Sequence, residues 1–142
     1  MTNTYVRVLA LDYGSARCGC AVSDPTGVLA TPIEPVLRPM SRRGMDRLRS
    51  LASELNVDRV VVGLPVSLSG AESEQTERSR AFAERLRTEL EVPVELHDER
   101  LTTRLAARTP GRASEDSRAA AHLLESWLHA NVKESAPGGD RG

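Results

Sequence analysis

Two stretches of this chain are apolar on both sides of an extended backbone. Residues 5–11 carry Val6, Val8 and Ala10 on one side and Tyr5, Leu9 and Leu11 on the other, and Val60-Val61-Val62 runs apolar up to Gly63. Strands of that kind must be covered on both faces, which calls for a sheet between layers of helix. Around them, Cys18 to Val22 reads as a second strand forming a hairpin with the first through Tyr13-Gly14-Ser15. Val28 to Val36 reads as a third, and Pro32 and Pro35 mark it as an edge or irregular strand. Met45, Leu48, Leu51, Ala52 and Leu55 recur at helical spacing, so a helix is expected from Arg42 to Leu55.

Ser69 and Glu72 are spaced as a capping box ahead of a helix carrying Phe82, Ala83, Leu86 and Leu90. Pro93 to His97 reads as the last strand. Helices follow over Leu101 to Arg108 and Ser114 to Asn131, separated by Pro110-Gly111. Leading strands followed by strand–helix alternation predict a mixed α/β sheet, because parallel neighbours need a crossover.

A length of 142 residues suits one domain with one core system. The expected domain is 1–131, with 132–142 forming a disordered tail, because the end from Glu134 is polar and rich in Gly and Pro. Aromatic residues are only 3%, so a core must be built mostly from Val, Leu and Ala and a broad stacking platform is excluded. The net charge is −1, so a polyanion would have to be met by a local patch and not by a global positive field. Lys133 is the only lysine, which leaves arginine as the phosphate-facing cation. Cys18 and Cys20 are too few for a zinc site and poorly spaced to bridge each other in a strand; a core role is expected. The start of the chain has no long apolar segment and no run reaches membrane-spanning length, so neither a signal peptide nor membrane contact is expected, and the expected location is the cytoplasm.

Three acidic positions stand out. Asp12 ends an apolar strand, at the carboxyl edge where open α/β sheets place ligands, although Asp is also a common turn former. Asp98 and Glu99 close the last strand at the same edge; alternation lets one of the two face a given side, and spacing does not choose between them. Asp116 precedes the apolar stripe of Ala119, Ala120, Leu123, Leu124 and Trp127, so its carboxylate is aimed toward the sheet, where it needs a partner or a metal. An Asp in a first helical turn also favours the helix dipole. Carboxylates converging at a sheet edge repel one another, and a hard divalent cation, Mg²⁺ or Mn²⁺, is the usual remedy. The chemistry such a centre serves best is phosphodiester hydrolysis.

The run Leu11-Asp12-Tyr13-Gly14-Ser15, continuing through Gly19 and Ala21 to Val22-Ser23-Asp24-Pro25, resembles the opening of the YqgF/RuvX family. So do Val61-Val62-Gly63-Leu64-Pro65, Asp98-Glu99-Arg100-Leu101-Thr102-Thr103, and Asp116 with Ala119-Ala120-Ala121 and Ser126-Trp127-Leu128. The resemblance covers about residues 6–130 in order. It implies a ribonuclease H-like five-stranded sheet, antiparallel in 1-2-3 and parallel in 1-4-5, with helices on both faces. It implies a nuclease trimming the 5′ end of the small-subunit ribosomal RNA precursor, with resolution of Holliday junctions in branched DNA as the alternative. It also implies Asp12, Glu99 and Asp116 as catalytic, metal-binding acids, with Asp98 the alternate. The chain departs from the family in the shortened stretch Arg104 to Glu115 and in Ser69-Gly70, both expected beside the substrate groove.

Arg100, Arg104, Arg108 and Arg112 recur every four residues and would line one helix face against phosphates, or simply a solvated side; Gly14 and Ser15 complete the expected nucleic-acid contacts. Two other classes compete with a nuclease. The Asp12-x-Gly14-Ser15 turn also serves ATPases of the actin and sugar-kinase type, which need two lobes where this length allows one. A non-catalytic RNA- or protein-binding module would keep the fold without the chemistry. Junction resolution would further require a homodimer, since two symmetric cuts need two sites.

Overall fold

The computed structural model describes residues 7–24, 29–65, 73–98 and 115–135. Their elements are β1 (Val8–Asp12), β2 (Arg17–Ser23), β3 (Ala30–Leu37), α1 (Arg42–Glu54), β4 (Arg59–Leu64), α2 (Glu74–Glu89), β5 (Val94–Asp98) and α3 (Glu115–Ser135). They form a single five-stranded sheet in the order β3-β2-β1-β4-β5. β1 pairs antiparallel with β2 and parallel with β4, β2 pairs antiparallel with β3, and β4 pairs parallel with β5. This is the mixed sheet expected, with the doubly buried β1 and β4 side by side at its centre.

One face of the sheet carries Leu9, Leu11, Cys18, Cys20, Val22, Val60 and Val62 against Met45, Leu48 and Leu51 of α1 and Phe82, Ala83 and Leu86 of α2. The other carries Val8, Ala10, Ala21 and Val61 against Ala120, Ala121, Leu123, Leu124, Trp127 and Leu128 of α3. Cys18 and Cys20 are both free and fully buried, as a core role requires. The prolines of β3 lie on the open edge of the sheet, and the β2–β3 register slips between Cys18↔Val36 and Cys20↔Ile33, a bulge that fits Pro35.

Helix α1 begins at the Ser41 cap, whose hydroxyl accepts from the Gly44 N–H. It ends in a Schellman arrangement: the Asn56 N–H donates to the Ser53 carbonyl and the Val57 N–H to that of Ala52, with Asn56 at φ 53°. Helix α2 departs from the expected start. Ser69 and Glu72 lie outside the described residues, and the cap is Ser73, which forms a reciprocal box with Thr76. Helix α3 runs through Ser135, so it enters the stretch expected to be tail; residues 136–142 lie outside the described set, as does the expected helix over Leu101 to Arg108. Within α3, Ala119 is exposed, and the stripe facing the sheet is led instead by Ser117 and Ala120. No helix among the described residues is long and apolar enough to cross a membrane.

Candidate metal-binding acid site

β1, β4 and β5 are parallel and end at one edge of the sheet, at Asp12, Leu64 and Asp98. Alternation along β1 places Asp12 in the row of Val8 and Ala10, which is the row that packs on α3. Its direct partner across β1 and β2 is Gly19. A Cβ at Gly19 would stand 1.9 Å from the backbone carbonyl oxygen of Asp116 and 2.9 Å from the amide nitrogen of Ser117. The first turn of α3 therefore rests on the bare backbone of β2, beside Asp12, in a space that exists only because residue 19 has no side chain.

Ser117 locks that contact. Its buried hydroxyl accepts a hydrogen bond from the Cys20 N–H at 3.3 Å and donates to the Ile33 carbonyl, tying the start of α3 to both β2 and β3. Asp116, one residue earlier, is held at the sheet edge with its carboxylate Oδ2 3.9 Å from Arg17 Nε. The two acids act together on their surroundings. The Cys18 thiol is pushed well above its ordinary range, first by burial, then by Cys20, and further by the negative charges of Asp12 and Asp116. Carboxylates are hard oxygen donors of the kind Mg²⁺ and Mn²⁺ take.

The two rows of β5 are told apart by what they touch. Its residues Glu95 and His97 face α3: Trp127 Nε1 donates to the Glu95 carboxylate, and His97 Nε2 lies 3.0 Å from the Ser126 hydroxyl. Leu96 packs on the α1/α2 side, and Asp98, paired with Leu64, follows Val94 and Leu96 in that row. Asp98 therefore belongs to the face opposite Asp12 and Asp116. His97 is a structural link between β5 and α3; burial holds its imidazole below the usual value, against the upward pull of Glu95 and Asp98.

Gly14 and Ser15 form the turn leaving β1, where a Cβ on Gly14 would meet the Arg17 carbonyl oxygen at 2.7 Å, and Ser15 is exposed. The turn is also held by α2, through Gln75 Nε2 donating to the Tyr13 carbonyl at 3.2 Å. Glu99, Arg100, Arg104, Arg108 and Arg112 lie outside the described residues. Among the described residues, no three His, Cys, Asp or Glu side chains are grouped to hold a metal ion. Sequence reasoning missed the parts played by Gly19 and Ser117. A glycine inside an otherwise apolar strand was the available signal, since it marks either a bulge or a close backbone approach.

A family model described as RuvX, Holliday junction resolvase, matches residues 6–130. A protein of Rhodococcus erythropolis is 40% identical over 93% of this chain and 82% of its own length. One of Mycobacterium tuberculosis is 42% identical over 92% of this chain and 82% of its own. One of Koribacter versatilis is 45% identical over 68% of this chain and 63% of its own length. All three carry the provisional name pre-16S rRNA nuclease. Among solved structures, Thermus thermophilus RuvC bound to a Holliday junction substrate superposes with a TM-score of 0.64 at 13% identity, covering 91% of this chain and 97% of that one. At that identity the likeness speaks to the fold, and the fold is ribonuclease H-like. With the family model matching residues 6–130 of 142 and relatives of about 40% identity covering more than nine-tenths of the chain, this protein belongs to the RuvX family of nucleases.

Proposed function

We propose that this chain is a divalent-metal-dependent nuclease whose metal is held by Asp12, Glu99 and Asp116, and whose substrate is the 5′ end of the small-subunit ribosomal RNA precursor. The observation that carries the reading is the seat at Gly19, where the backbone of Asp116 rests on the residue that pairs with Asp12. The family resemblance favours Glu99 over Asp98, and in β5 Asp98 itself follows Val94 and Leu96 in the row opposite Glu95 and His97, which face α3. Mg²⁺ or Mn²⁺ bound there would activate water and offset the charge that builds on a phosphodiester during hydrolysis. The protein's own part is to fix the carboxylates through Ser117 and the β1–β2 pairing, and to meet the nucleic acid with Gly14, Ser15 and the arginines at 100, 104, 108 and 112. The names of the relatives support the RNA substrate and a cytoplasmic place of work.

Resolution of branched DNA is the second reading, favoured by the description of the matching family. One experiment tests both: cleavage of a ribosomal RNA precursor fragment and of a four-way DNA junction, side by side, with Mn²⁺ or Mg²⁺, using Asp12→Asn as control. The expected result is metal-dependent cleavage of the RNA, lost in Asp12→Asn with an unchanged circular dichroism spectrum. Cleavage of the junction alone transfers the assignment to resolution and requires a homodimer. Cleavage that survives Asp12→Asn overturns the site, and cleavage of neither substrate leaves a binding module as the function.

A further inference from the structure

Arg17 stands at the start of β2, next to Asp116. Its position in the strand puts it in the same row as Gly19 and Ala21, facing α3. Its Nε lies 3.9 Å from Asp116 Oδ2, and its side chain is 55% exposed. At that distance the pair is electrostatic and not a hydrogen bond, so the guanidinium donors remain available to another acceptor. An ion pair this exposed contributes little to stability.

The backbone beneath Arg17 is held from several sides. Its carbonyl oxygen packs on Gly14, where a Cβ would come within 2.7 Å. The Ala16 carbonyl accepts from the Arg38 N–H at 2.9 Å, and Leu37 pairs with Arg17 across the β2–β3 ladder. Arg38 itself sits at φ 44°, a costly conformation for a residue with a side chain, retained because its carbonyl accepts from both the N–H and the hydroxyl of Ser41 and lies against Gly44. A solvent-facing arginine whose guanidinium hydrogen-bonds to none of the described residues is thus mounted on a rigid corner beside the carboxylate of Asp116. That arrangement is what a site needs when it must attract a polyanion and a divalent cation to adjacent positions.

We propose that Arg17 is a phosphate-binding residue of this site, neutralising Asp116 while the metal is absent and turning its guanidinium to the nucleic-acid backbone when a strand is bound. The proposal rests on the reading of Asp12 and Asp116 as metal-binding acids. It assigns the side of the site formed by β2 to the substrate's phosphates, independently of the arginines that follow Glu99. Removing this one charge should then act in opposite directions on the two ligands: weaker binding of nucleic acid and tighter binding of metal.

The test uses the full chain and its Arg17→Gln and Arg17→Lys variants, with two binding measurements and no turnover. The first is the affinity for a fluorescent single-stranded RNA oligonucleotide across a salt series without divalent cation; the second is Mn²⁺ binding without RNA, followed by electron paramagnetic resonance. For Arg17→Gln the slope of log affinity against log salt should fall by about 0.7, the share of one phosphate contact on a single strand. RNA binding should weaken several-fold, and Mn²⁺ binding should tighten several-fold. Arg17→Lys should restore most of the salt slope, since it keeps the charge. An unchanged slope with tighter Mn²⁺ binding makes Arg17 a mere neutraliser of Asp116 and overturns the proposal. Weakening of both ligands together with a lowered melting temperature makes it structural and overturns it as well. The parent reading fails separately, if the unmodified chain binds no Mn²⁺ or if Asp12→Asn binds it equally well, and the RNA salt slope still decides whether Arg17 meets phosphate.

Discussion

The two faces of the sheet are built on different principles. The face under α1 and α2 is filled by large apolar side chains, Phe82, Leu9, Leu11, Leu48 and Leu86 among them, and its charges lie outside, between the helices. There Arg42 reaches both Asp46 and Glu89, joined by Arg49 and Arg85. The face under α3 is lined by smaller residues, Ala10, Gly19, Ala21 and Val61, and polar groups are buried within it: Ser117, His122 and Ser126, with Glu95 bridging Arg59 and Trp127. Large side chains give burial energy in any of several repacked arrangements, whereas small ones admit one helix at one height and polar pairs fix its rotation. The proposed acid site lies on the second face because its geometry depends on where a single helix starts.

That contrast can be broken most forcefully from the apolar side. Leu48→Ala removes a fully buried side chain and should lower stability by about 2–5 kcal/mol, read by denaturant unfolding, while the protein that remains folded binds Mn²⁺ as before. Loss of metal affinity in that variant would mean that the two faces are not independent. Gly19→Ala should cost about 1–3 kcal/mol, less in stability than Leu48→Ala, yet weaken Mn²⁺ binding by more than about tenfold, because the methyl group displaces the backbone of Asp116. Unaltered binding in Gly19→Ala would remove the seat from the account of the site.

The smallest effect belongs to the charges outside the first face. Arg42 and Arg85 hold the Glu89 carboxyl at about 2, down from 4.5. A carboxyl lowered on folding contributes stability that is complete above its unfolded value and is lost as the pH falls through its folded one, here between 4.5 and about 2. The melting temperature of the parent should therefore exceed that of Glu89→Gln above this window and converge with it at the acid end. The difference should shrink in high salt, since Arg42, the first of its partners, is open to solvent. A gap that persists through the acid limb would show that Glu89 acts by packing and not by charge.

The order of the described elements, the hairpin, the two doubly buried strands and the helix from Arg42 were legible in the sequence because each depends on local periodicity. So was the placement of Asp12 at the carboxyl edge, which follows from where its strand stops. The start of α2 was not, because Ser69 and Ser73 offer equivalent caps and the choice turns on Thr76, whose hydroxyl donates to the Pro65 carbonyl eleven residues back. Ala119 was placed on the buried stripe by spacing alone, and the rotation of α3 set by Ser117 turns it outward. The alternating pattern of β5 was plain, but which of its two rows shares a face with Asp12 became readable only once Trp127 and Ser126 were seen on Glu95 and His97.

By itself, then, the sequence determined which acids stand at strand and helix ends, since hydrophobic period and chain direction are properties of neighbouring residues. The tertiary structure decided where the start of α3 comes down on the sheet. That seat depends on the height and rotation of α3, set by a missing side chain at Gly19 and one hydroxyl at Ser117, contacts between residues about a hundred positions apart that no local pattern encodes.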